Sequence, residues 1–464
     1  MAWQEFYLQP TGDDRNSGSD SNNTPTLTVT GGTISAGSIG QTVFTAPSGT
    51  PFSGVSVGQY VSLYHNTDTV SKFVGQVLSI GGGGLSITVS NDKQTGTALT
   101  CLGKGDLTTT ALSSAAGAVA CNVGGAWASL NLTNTGNALA LPYLASTGTS
   151  ASNLRINIQA GTYPAYSATI TLPSGSAAKP IWWRGYFSTI GDLDNCTNVG
   201  GTLTGGPTGA TRPQFSTGST GHSFSVPAWN WLENLEFSGP PTGGSAVLST
   251  SGYVRLVRCR GTATSSASNG FTCFGAYGGT LHAIGCLFVY NGGGSATAAM
   301  FCQGYCSLVG NAFQKGLSGL LLQGQGYLAA FNLVEAANTG ISYQNTNALS
   351  STLLNNVVYN CTTGVSIGSG ATGHVLAANN LLANCTSGVV NSATANAWTL
   401  QLINTGFATL SGSQTSGLFE SFQRGAVTEP NGVSPFNDAP NHDFSLTATA
   451  LARQAGFPGT FETL

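Results

Sequence analysis

One short block recurs seven times and limits what the rest of the chain can fold into. It reads WLENLEF at 231–237, LVRCRG at 256–261, AIGCLF at 283–288, LVGNAF at 308–313, AAFNLV at 329–334, LLNNVV at 353–358 and AANNLL at 377–382. Aligned on its Asn or Cys, the block gives a column of Asn234, Cys259, Cys286, Asn311, Asn332, Asn356 and Asn380. A second column follows a polar turn: Gly244, Gly270, Ala298, Gly319, Gly340, Gly364 and Gly388. The two keep step with a period near 24. Three strands of about five residues and three short turns make one coil of that length, and coils stack about 4.8 Å apart. One coil cannot bury its own apolar face, so neighbours must stack. Asn recurring at one bend predicts a ladder of side-chain amides. Helix-pair repeats are longer, at roughly 33–47 residues, and favour Ala, Leu, Glu and Lys over Gly, Thr and Asn.

This block resembles the right-handed parallel β-helix proteins of the pectate-lyase-like superfamily. Other segments fit the same plan in order. EFYLQPTGDDRNSGSDSNN at 5–23 resembles the first strand and loop of such proteins, INIQAGTYPAY at 156–166 an early coil, and IWWRGY at 181–186 the next strand. HDFSLTATALARQAGFPG at 442–459 resembles the segment that caps the last coil, and a short helix is expected near Thr447–Ala455. Residues 25–124 interrupt the plan. VGQYVSLYHN, KFVGQVLSI and GLSITVSN alternate apolar and polar residues between Gly-rich turns, which predicts a small antiparallel β domain inserted into the first coil. The expected fold is therefore all-β: a right-handed parallel β-helix solenoid with a small inserted N-terminal β domain. Its expected parts are a first strand and loop at 1–24, the insert at 25–124, first coils at 125–229, regular coils at 230–400 and a cap at 401–464.

Composition narrows the function. Only 7% of the 464 residues are charged, the net charge is −3, and 41% are hydrophobic, so disorder is set aside. No basic block offers itself to a phosphate backbone, so nucleic acid is not an expected partner. No run of about 20 apolar residues suggests a membrane span, and the first residues carry no secretory-signal pattern. The ten cysteines are then expected as free thiols packed like small hydrophobes. Cys361 and Cys385 fall at one level of adjacent coils, as a stacked pair would.

Enzymes on this fold need paired carboxylates, or acids that hold Ca²⁺ beside a base. No Asp occurs between Asp194 and Asp438, and residues 230–390 hold only Glu233, Glu236 and Glu335. Glu335 lies four coils from the other two, roughly 20 Å at the stacking distance. Glu233 and Glu236 are the catalytic candidates. Their alternative is an outer ion-pair cluster with Arg258 and Arg260. His222, His282 and His374 stand in different coils, so no metal or cofactor is expected. Trp182, Trp183, Trp229 and Trp231 are candidates for stacking on a sugar ring or packing against a subunit.

Bacteriophage spikes and fibres resemble this plan. The resemblance implies a non-enzymatic virion protein made in the host cytoplasm, acting in tail-spike or tail-fibre adhesion or capsid decoration. Its expected partners are further copies in a homotrimer, other virion proteins and a host surface glycan. A polysaccharide depolymerase and a bacterial surface adhesin remain as alternatives.

Overall fold

A computed structural model describes the chain except residues 1–2, 14, 66–71, 92–118, 129, 131–152, 200–201, 219–221, 241–245, 265–271, 292–297, 325, 345–349, 394–399, 417–419, 422–433, 440–442 and 452–464. The chain divides into two compact units, Met1–Ile190 with Arg212–Gln214, and Gly191–Thr211 with Phe215–Leu464.

The second unit is a β-solenoid. Three parallel ladders run along it. The first contains Phe224–Pro227, Ala298–Cys302, Ser318–Leu322, Thr339–Tyr343, Thr363–Ile367 and Ser387–Asn391. The second contains Asn230–Glu233, Tyr305–Val309, Tyr327–Ala330, Ser351–Leu354, Val375–Ala378 and Leu400–Ile403. The long strands Ala246–Val257 and Thr272–Ile284 serve both. The third runs from Glu236–Gly239 through Arg260–Ala263 and Leu287–Tyr290 to Gly406–Ala408. Alternate side chains enter the core, so Leu232, Leu256, Ala283, Leu308, Ala329, Leu353, Ala377 and Leu402 stack at one level.

Between the second and third ladders each coil turns through one left-handed residue. Asn234, Arg258, Gly285, Gly310, Phe331, Asn355, Asn379 and Asn404 take φ between 44° and 63°. Asn and Gly are the residues that accept this conformation readily, which explains their frequency here. The next residue points inward. Asn311 Nδ2 donates to Asn332 Oδ1 at 3.1 Å, Asn332 to Asn356 at 3.0 Å and Asn356 to Asn380 at 2.9 Å. Each Oδ1 also accepts the backbone N–H of the preceding ladder residue, and Asn332 Oδ1 accepts from Asn311 N at 2.9 Å. Cys286 N donates to Asn311 Oδ1 at 2.9 Å, and the column continues as Cys286 and Cys259. Asn234 does not belong to it. Register pairs Glu233 with Val257 and Glu236 with Arg260, so Leu235 stands beside Cys259 and Asn234 beside Arg258. The two adjacent bend positions both favour Asn, and the sequence alone does not separate them.

The Gly column has a packing cause. A Cβ at Gly364 would lie 2.7 Å from Gly388 O, and one at Gly340 2.6 Å from Gly364 O. Register places Ala299, rather than Ala298, at the level of Gly319. The 21-residue coil is short because Gln323–Gly326 alone links its first two ladders, where the next coil uses 344–350.

The solenoid passes the expected boundary at 400, through Leu400–Ile403, Gly406–Ala408, Thr415–Ser416 and Glu420–Ser421. The strands Phe436–Asp438 and Asp443–Leu446 then form a hairpin beside the third ladder. Phe436, Phe444 and Leu446 join one buried cluster with its outward Leu287, Leu333, Val357 and Leu381. Thr447–Ala450 form no helix, Leu451 is helical, and the remainder of the expected helix lies outside the described residues.

The first unit holds the early coils. Trp3–Leu8 pairs in parallel with Asn153–Gln159, which pairs with Ile181–Tyr186. A closed antiparallel barrel of six strands, from Leu27–Ala36 to Val119–Val123, interrupts them. Its core includes Val29, Phe44, Phe52, Leu63 and Ile87. Trp127 receives the returning chain: its ring stacks on Phe6 at 5.3 Å, and its Nε1 donates to Asn16 O at 2.9 Å. Gly18, at φ 72°, lies against that ring, and any Cβ there would overlap it at 2.4 Å.

Asn356→Ala is expected to cost about 1–3 kcal/mol, because it strands buried partners on Asn332 and Asn380. Asn355→Gly, at the left-handed position, should change stability by only about a few tenths of that, since Gly accepts φ 52°. Urea denaturation of the two variants checks the contrast.

Candidate recognition surface

Outward positions of each unit carry a few aromatic rings beside charged side chains. In the first unit, register aligns Glu5, Arg155 and Trp182 in one row and Tyr7, Asn157 and Arg184 in the next. Arg155 is ion-paired with Glu5. Tyr7 Oη donates to Glu5 Oε2 at 3.0 Å, and Asn157 Nδ2 donates to the same oxygen at 3.1 Å. The guanidinium carbons of Arg155 and Arg184 stand 5.4 and 5.1 Å from the Trp182 ring, and Trp3 meets that ring edge-on at 5.7 Å. Such distances suit cation–π attraction. Burial, then the neighbouring Arg184, lowers the Arg155 pKa from its ordinary value, yet a guanidinium keeps its charge. Burial first, and then Tyr186 and Asp20, raises the Tyr7 phenol. Trp182 is half-buried. Trp183 points the other way and is 1% exposed, so it is a core residue and leaves the set of binding candidates.

In the second unit the rings form a column. Trp229, at φ 62°, stacks on Tyr253 at 4.6 Å, and Tyr253 lies 5.3 Å from His282. Trp231 stands beside Arg255, which stands beside His282. Burial, then Arg255, lowers the His282 pKa.

Glu233 and Glu236 lie on either side of the bend at Asn234. Arg258 bonds Glu233 and also donates from Nε to Asn234 Oδ1 at 2.9 Å. Arg260 Nη1 is 3.7 Å from Glu236 Oε1. Glu335 accepts from Gln314 Nε2 at 3.1 Å on the third ladder. Among the described residues no group of three or more His, Cys, Asp and Glu side chains is placed to hold a metal ion, and no helix is long and apolar enough to cross a membrane. Eight described cysteines are buried thiols, and burial pushes those of Cys121, Cys286 and Cys302 upward.

The cluster around Glu5 was not among the residues singled out from sequence. Its signal is present in the alternation of WQEFYL at 3–8 and NLRINIQ at 153–159, where polar and aromatic side chains occupy every second position.

No family model matches the chain, and no curated protein sequence matches it. Among solved structures it is similar to the tailspike protein gp49 from Pseudomonas phage LKA1, at 11% identity and a TM-score of 0.31, over 94% of this chain and 71% of that one. It is also similar to rice weevil pectin methyl esterase, at 10% identity and a TM-score of 0.27, over 55% of this chain and 79% of that one. Likeness at this level decides nothing about activity or assembly.

The imidazole of His282 is expected to titrate below the ordinary value of about 6.5. Arg255→Gln should raise its midpoint while leaving the effect of burial. Proton NMR of the imidazole across pH 4–8 reads both.

Proposed function

We propose that this chain is a non-enzymatic structural and adhesive protein exposed on a bacteriophage particle, with a host surface glycan as its ligand. The observation that carries the reading is the outward row of rings: Trp229, Tyr253 and His282 in the second unit, and Trp182 between two guanidinium groups in the first. An aromatic face flanked by fixed polar groups suits a sugar ring, whose two faces are apolar and whose edge is hydroxylated. The carboxylates beside these rings are occupied. Glu5 takes three donors, Glu233 takes Arg258, and Glu236 lies against Arg260. The low charge and the buried thiols suit a particle assembled in a cytoplasm. Within it the chain would sit as a homotrimer among other virion proteins, as a spike, a fibre or a capsid decoration.

A depolymerase is the second reading, favoured by one observation: Glu233 lies two residues from Trp231 on the same outward face.

Trp229→Ala and Trp182→Ala are each expected to weaken binding to host cells or purified surface glycan by about tenfold, the equivalent of about 1.4 kcal/mol. Glu233→Gln should leave binding unchanged and the glycan intact. Loss of glycan cleavage in that variant would establish the depolymerase. Gold-labelled antibody on native particles, seen by electron microscopy, should decorate tail or capsid. Unlabelled particles would overturn the virion reading.

A further inference from the structure

Two thiols meet beneath one bend of the solenoid. NNVVYNCTTG at 355–364 and NNLLANCTSG at 379–388 belong to successive coils, and register pairs Thr363 with Ser387. Two residues earlier, Cys361 therefore stands beside Cys385. The backbone holds them there, because Thr386 N donates to Cys361 O at 3.2 Å. Cys385 Sγ reaches back to the coil of Cys361, 3.9 Å from Val358 O, and Cys361 Sγ lies 3.4 Å from Tyr359 O. The two side chains are hydrogen-bonded to each other. Coils stack about 4.8 Å apart, inside the range of about 4.4–6.8 Å between Cα atoms that a disulfide spans.

Other described thiols provide the comparison. Cys302 and Cys306 also hydrogen-bond, but they stand at one corner of a single coil and join nothing between coils. Cys259 and Cys286 are stacked across coils. They sit in the inward column that leads to the amide ladder, both are 0% exposed, and neither has an exposed neighbour in sequence. Cys361 and Cys385 lie one residue below the surface. Asn360, Thr362, Asn384 and Thr386, which flank them, are all exposed. The hydrogen bond from Cys361 holds the Cys385 thiol below its ordinary value, against the effect of burial, and the same bond raises Cys361. A thiolate is the reactive form in sulfur oxidation, so Cys385 is the first to react and Cys361 is placed to resolve it.

We propose that Cys361 and Cys385 are a redox-modification site, where hydrogen peroxide forms a disulfide that fastens two coils together beneath the C-terminal hairpin. The Cys385 thiolate attacks one oxygen of the peroxide. The O–O bond breaks, and the departing hydroxide takes up the proton that Cys385 released, giving water. Cys385 is left as a sulfenic acid, which condenses with a neighbouring thiol. The Cys361 sulfur attacks it, the S–S bond forms as the S–O bond breaks, and the hydroxyl leaves with the Cys361 proton as a second water. Two thiols thus lose two electrons and two protons to one peroxide. The position of the bond gives it an effect. A solenoid held by contacts between neighbours opens from its ends. One further coil, with Leu400–Ile403 and Gly406–Ala408, follows the linked pair. Tyr359, two residues before Cys361, packs against Phe436 and Phe444 of the hairpin. The coils fold with reduced thiols and are fastened afterwards, on meeting the oxidant. The site requires neither glycan nor particle.

Peptide mapping of the full chain tests this. After exposure to hydrogen peroxide the chain is alkylated in denaturant and cut with chymotrypsin. The peptides holding Cys361 and Cys385 should appear joined and two hydrogens lighter, while Cys259 and Cys286 are alkylated. The oxidised chain should unfold about 5 °C above the reduced one, and dithiothreitol should abolish the shift. Cys361→Ser should accumulate a dimedone-reactive sulfenic acid at Cys385, whereas Cys385→Ser should leave Cys361 unlabelled. Alkylation of both Cys361 and Cys385 after peroxide overturns the proposal. Sulfinic acid on Cys385 beside an alkylated Cys361 also overturns it, as does a disulfide that forms at Cys259 and Cys286 instead. A Cys361–Cys385 disulfide that leaves the unfolding temperature unmoved would refute its role in fastening the coils. None of these readouts involves a glycan, so their failure would remove this inference and leave the proposed function standing.

Discussion

Everything in this protein depends on one coil bonding to the next. Parallel strands at a spacing of about 4.8 Å satisfy the backbone along each flat side. The bends are the difficult places, because a turned backbone loses its ladder partners and the turn lies partly inside. Asn311, Asn332, Asn356 and Asn380 solve this at one bend. Each amide bonds both the side chain and the backbone of a neighbouring coil, and each sits in a site closed to water. A buried amide with every partner in place specifies the register. A slipped coil would leave several such groups unsatisfied at once.

A solenoid held in this way repeats inside and is free to vary outside. Leu, Ala and Val follow one another along the core, while outward rows change character from one ladder to the next. Serines alternate with Gly275, Phe301, Leu321 and Val390 along the first ladder, and a hairpin covers the third. Rings and guanidinium groups gather on the early coils of each unit.

The period, the all-β class and the inserted barrel were legible because each rests on spacing or alternation, which a backbone converts directly into contact. Side-chain direction was legible only where two coils agree. Asn234 looks like a ladder residue by composition, yet register assigns Leu235 to that level, and a shift of one residue reverses inside and outside. Trp182 and Trp183 are adjacent and differ in the same way. The acid–base cluster at Glu5 joins strands about 150 residues apart, across the inserted barrel, so no local pattern reveals that Arg155 and Asn157 meet it. The path of the C-terminal hairpin beside the third ladder, rather than over the end, depends on the outward Leu287, Leu333, Val357 and Leu381. Their apolar character is visible in sequence, but their direction is not.

The central claim is that the outer face binds and assembles without altering what it touches. The most direct measurement is mass spectrometry of bacterial surface polysaccharides after incubation with the purified chain. The account predicts polysaccharide that is retained by the protein and unchanged in length and substitution. Shortened chains, or chains that have lost ester groups, would contradict it.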